Sequence, residues 1–129
     1  MRLKTLLSSY AAVALLFCFG LLAAPGFWIT LYGAVAEPQA VALLRLVGAV
    51  FGGIAVMCWV SRAAGPSPAR DALVLGLAVT NVLAAFVSIG TARAGVYNQL
   101  AWGPVAVFAL AGISFALVSR KASAALRAS

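Results

Sequence analysis

Charge is missing from most of this chain. Residues 5–44 carry a single charged acid, Glu37, and residues 46–61, 72–92 and 94–119 carry no charge at all. A helix needs roughly 20 mostly apolar residues to cross the hydrocarbon core of a bilayer. Four such helices fit, at about 5–24, 38–60, 70–90 and 99–120. Proline and glycine punctuate them. Pro25-Gly26 closes the first span, since Pro cannot continue a helix cheaply. Pro38 suits the first turn of the second, and Pro104 that of the fourth. SRAAGPSPAR (61–70) and TARAGVYN (91–98) read as short loops, and KASAALRAS (121–129) as a polar, frayed tail. PGFWITLYGAVAEPQ (25–39) holds Phe27, Trp28 and Tyr32, side chains suited to the headgroup level. It is expected to lie along the interface with a turn or two of helix. The pattern predicts an all-α membrane protein. It would be a bundle of four transmembrane helices forming one domain over residues 1–129, with an interfacial segment between the first two spans.

Composition strengthens this picture. Of 129 residues, 65% are hydrophobic and 9% charged, against about 25% charged in soluble domains. The spans use nearly the whole chain and leave no room for a soluble catalytic domain. The net charge of +7 would in a soluble protein suggest nucleic acid. Here its placement says otherwise. Arg2, Lys4, Arg62, Arg70, Arg120, Lys121 and Arg127 fall before the first span, in the middle loop and after the fourth. Arg93 alone falls in an opposite loop, and Arg45 lies inside a span. The positive-inside rule then puts both termini and the middle loop in the cytoplasm. Anionic lipid headgroups are natural neighbours for that side. No basic groove with interleaved aromatics offers itself to nucleic acid.

The first span resembles a secretory signal in Arg2, Lys4 and Ala23-Ala24. Bulky Leu21 and Leu22, with Pro25 next, favour an uncleaved helix instead. Cys18 and Cys58 lie at different expected depths, which disfavours a disulfide. Neither belongs to a C-x-x-C pair, and both read as small buried hydrophobes. AVFGGIAVMCWVSRAA (49–64) faintly echoes AVFALAGISFALVSRKA (106–122). Two parallel hairpins would account for that, as would chance among apolar helices.

The candidate chemistry centres on Arg45, in VALLRLVGAVFGG (41–53). An arginine within a span needs water or partners. Arg45 is about seven residues from the outer end of its span, or ~10 Å, so it could also snorkel. Positions 45, 48, 52, 55 and 59 follow a packing repeat and include Gly48-x-x-x-Gly52, a close-packing motif. Asn81 sits at a neighbouring depth in the third span, on a small and polar stripe with Val74, Leu77, Ala78, Ala85 and Ser88. Glu37 and Asn98, with Tyr97 and Gln99, occupy the same outer half. Trp28, Tyr32 and Trp102 form its aromatic anchors. This polar cluster could be internal glue that fixes helix register. It could instead hold a lipid-like or small amphipathic anionic molecule, or meet a helix of another membrane protein. The Gly48–Gly52 face favours internal packing over a homo-oligomer.

Catalysis has little to draw on. There is no histidine, and no carboxylate within the membrane core, Asp71 lying at the very end of the third span. No nucleophile–base set, paired acids, metal cluster or phosphate loop can be assembled. No enzyme, cofactor or metal is therefore expected. Small four-helix multidrug exporters rely on a glutamate in the first helix, which is uncharged here. Small four-helix fluoride channels carry a Thr-rich, Phe-containing motif in the third helix, where this chain reads LVLGLAVTNVLAAFVSIG (73–90).

Pro25 after the first span, LLRLVGA (43–49), Arg70 opening the third span and Trp102 opening the fourth occur in one order. In this the chain resembles a broad group of small, uncharacterised bacterial four-helix inner-membrane proteins of the domain-of-unknown-function type. The likeness covers nearly the whole chain through loose motifs. It implies a multi-pass protein of the bacterial inner membrane and no particular activity. With the bilayer as partner, a non-catalytic accessory or interaction subunit is the expectation, with lipid-like binding around Arg45 as the alternative.

Overall fold

A computed structural model describes residues 2–128, with the backbone alone at 122, 123, 125 and 126. Five α-helices and one 3-10 turn follow in order: α1 (Leu3–Ala23), α2 (Pro25–Leu31), α3 (Pro38–Ser61), α4 (Pro68–Arg93), the turn Gln99–Ala101 and α5 (Trp102–Ala128). No strand occurs among the described residues. Leu3–Ala23, Pro38–Ser61, Pro68–Arg93 and Gln99–Lys121 are long and apolar enough to cross a membrane. The chain divides into two compact units, Met1–Ala63 and Ala64–Ser129. Each is built on a helical hairpin, α1 with α3 in the first and α4 with α5 in the second.

Local chemistry sets the helix ends. α1 stops at Ala24, whose backbone leaves the helical region (φ −138°, ψ 55°) while its N–H still reaches the Gly20 carbonyl at 3.0 Å. Pro25 then starts α2, because its missing N–H costs nothing in a first turn. The segment expected at the interface thus opens with a seven-residue helix. That helix ends in a Schellman motif at Gly33 (φ 80°), with Gly33 N–H to Thr30 O at 3.0 Å and Ala34 N–H to Ile29 O at 3.1 Å. α4 begins two residues before the sequence expectation. Ser67 caps it through Oγ, which accepts from Arg70 N–H at 3.2 Å, and Pro68 fills its first position. It also runs past Gly90 to Arg93 and stops before Gly95 (φ 70°). α5 continues through Arg120 and Lys121 to Ala128, where a frayed tail was expected.

Packing follows the 3.6-residue period. α1 buries Leu7, Tyr10, Ala11, Ala14 and Cys18; α4 buries Val74, Leu77, Ala78, Asn81 and Ala85, at the same spacing. In the first hairpin, Phe17 and Phe51 stack with centroids 5.2 Å apart. In the second, Phe115 is fully enclosed. Both cysteines are free and buried.

Candidate functional site

Gly48 and Gly52 face α1. A Cβ on Gly48 would lie 3.0 Å from Leu21 Cβ and 3.2 Å from the Cys18 carbonyl oxygen; one on Gly52 would lie 3.0 Å from Cys18 Sγ. The α3 backbone therefore rests almost directly on α1. The packing stripe continues through Ala55 to Cys58, which is fully enclosed, and not to Trp59, which is 54% exposed. At 3.6 residues per turn the stripe after Ala55 falls between positions 58 and 59, and the smaller side chain takes the inside. Trp59 turns outward and lies under the Arg62 guanidinium, 3.4 Å from the ring centroid.

Arg45 stands at the exposed edge of this helix, not in the contact with α1. Within its own hairpin it makes no hydrogen bond or ion pair, with Glu37 or with any other described residue. Glu37 is exposed at the α3 N-cap, where its carbonyl accepts from Val41 N–H at 3.0 Å.

Asn81 belongs to the second hairpin, where it is fully buried. Its Nδ2 donates to the Leu77 carbonyl at 2.8 Å, so an amide in an apolar core has a partner one turn back. It also lies at a close approach of α5. A Cβ on Gly112 would lie 3.2 Å from Val82 N and 3.5 Å from the Asn81 carbonyl carbon. Asn98 is exposed, and its Oδ1 accepts from Leu100 N–H at 3.0 Å, fixing the turn before α5. Arg45 and Glu37 thus lie in one hairpin, Asn81 and Asn98 in the other.

The aromatic anchors have distinct settings. Trp28 is half-buried because α2 folds its indole onto α1 at Gly20, where a Cβ would come 2.9 Å from Trp28 Nε1. Phe27 packs edge-on to it at 5.8 Å. Burial pushes the Tyr32 phenol above its ordinary value. Trp102 is exposed at the start of α5.

Sequence reasoning missed Gly112, Gly20 and the Trp59–Arg62 pair. The first two carried no local signal among 12 glycines. The i, i+3 spacing of Trp59 and Arg62 was a usable signal. No protein-family model, no curated protein and no solved structure matches this chain.

Proposed function

We propose that this chain is a non-catalytic integral protein of the bacterial inner membrane, an accessory or interaction subunit with both termini cytoplasmic. What carries this reading is the distribution of polar groups along four span-length helices. Asn81 is the single buried polar side chain among the described residues. Large apolar side chains such as Leu16 (73% exposed) and Val87 (70%) point outward from mid-helix. In water such a surface would be an aggregation hazard; in lipid it is the expected exterior. The orientation rests on the charge bias, and the bacterial assignment on the resemblance.

An interaction role is favoured by loops too short to hold a reaction centre and by the lack of acid–base pairs in the spans. Purification in mild detergent should recover a second membrane protein at fixed stoichiometry. Recovery of the chain alone under several detergents would count against the subunit role.

A second reading has one observation in its favour. Arg45 is exposed within a span and unpaired in its hairpin, a costly state unless something anionic or aqueous meets it. A lipid-like anion bound at the Arg45 guanidinium would satisfy it. Guanidinium forks match oxyanions where ammonium does not. Arg45→Lys should therefore abolish such binding while the protein still folds. Unchanged lipid retention in Arg45→Lys would remove this reading.

A further inference from the structure

The second hairpin carries a groove that neither reading uses. It has a volume of about 340 Å³ and runs between α4 and α5. Ala78 from α4 and Ala116 from α5 line it, and their small side chains leave space between the helices. Its walls are the outward-facing Leu75, Val79 and Leu83, each more than half exposed. The lining is apolar except at one place, where Ser119 and Arg120 close it. Arg120 is exposed, and Lys121 follows it. Arg70 lies at the same end of the hairpin, in the first turn of α4, where its guanidinium donates to the Ala64 carbonyl at 3.1 Å. Asp71 is the only acid in this hairpin.

We propose that this groove binds one acyl chain of an anionic phospholipid, with the headgroup phosphate held by Arg120 and Ser119. The apolar trough suits a hydrocarbon tail, and the cation and hydroxyl stand where the tail would meet its phosphodiester. A guanidinium provides donors in a fork that fits phosphate oxygens. Arg70, Arg120 and Lys121 against the single acid Asp71 make this end attractive to an anionic headgroup. The leaflet assignment rests on the proposed topology: Arg120 lies on the side taken as cytoplasmic, where anionic lipids concentrate.

The test needs no orientation, so its failure is separate from a failure of the topology. The full chain is delipidated in detergent, and phosphatidylglycerol or phosphatidylcholine with matched acyl chains is added back, with binding read by native mass spectrometry. The wild type should hold one phosphatidylglycerol per chain, with a preference of about fivefold over phosphatidylcholine for one cation near the headgroup. Arg120→Gln, an exposed position, should erase that preference. Ala116→Phe should fill the trough and weaken both lipids. Equal retention of the two lipids by the wild type would overturn the proposal, as would an unchanged preference in Arg120→Gln. Unchanged binding in a folded Ala116→Phe would show that the tail lies elsewhere, and no lipid bound at all would overturn the proposal as well. If Ala116→Phe does not fold, Val79→Trp fills the same trough from an exposed position and is read in the same way.

Discussion

At the residue scale, the glycines divide by what stands opposite them. Gly48 and Gly112 each face backbone of the partner helix within 3.2 Å of an added Cβ. Gly76 and Gly53 face nothing within 4 Å. Gly48→Leu and Gly112→Leu should each cost about 1–3 kcal/mol by overpacking. Gly76→Ala should be neutral or stabilise by up to about 1 kcal/mol through helix propensity. Thermal unfolding in detergent checks all three; equal effects at Gly76 and Gly112 would contradict the helix contacts. Asn81 gives a second test. If it shares a cluster with Arg45, the substitutions Arg45→Leu and Asn81→Leu should be coupled, departing from additivity by more than about 0.5 kcal/mol. Asn81→Leu alone should then hurt more than Arg45→Leu, because it strands the charge. Additive effects would mean that Asn81 serves only its own hairpin.

At the scale of the element, the helix ends rest on caps and on one aromatic clasp. Ser67→Ala removes the acceptor for Arg70 N–H and should lower stability by about 1 kcal/mol; no change would mean that Pro68 alone sets the start of α4. Gly20→Val should push Trp28 off α1, since a Cβ there already meets Nε1 at 2.9 Å. In a variant retaining Trp28 as its only tryptophan, emission should shift to longer wavelength. An unchanged spectrum would show that α2 is held by other contacts. Much of this level was legible in the sequence. Charge-free runs, with Pro25, Pro38 and Pro104 near their ends, mark the spans, and Phe27, Trp28 and Tyr32 mark the segment that contains α2. Where the ends differed, the cause was local. Gly90 looked like a stop but has no left-handed backbone, whereas Gly95 does. Arg120 and Lys121 looked like a terminus but are good helix formers. The candidate site was less legible. Which of many small residues meets the opposite backbone depends on the crossing of two helices, and periodicity alone does not fix that. The repeat from Arg45 to Trp59 drifted by one residue onto Cys58 for the same reason.

At the scale of the whole molecule, two kinds of residue pattern converge. Helices of span length present leucines, valines and phenylalanines outward, while cations gather at the chain ends and in the loop between the hairpins. Under the proposed topology both follow from a bilayer as solvent: apolar surface costs nothing in lipid, and Lys and Arg stay on the cytoplasmic side. The central claim is a four-span protein with both termini in the cytoplasm, and site-specific cysteine labelling in intact and permeabilised cells tests it most directly. Buried Cys18 and Cys58 are first replaced by alanine. Ala124→Cys and Ala64→Cys should then react with a membrane-impermeant maleimide only after permeabilisation, and Ala36→Cys should react in intact cells. Labelling of Ala124→Cys in intact cells, or equal labelling of all three positions, would contradict the account.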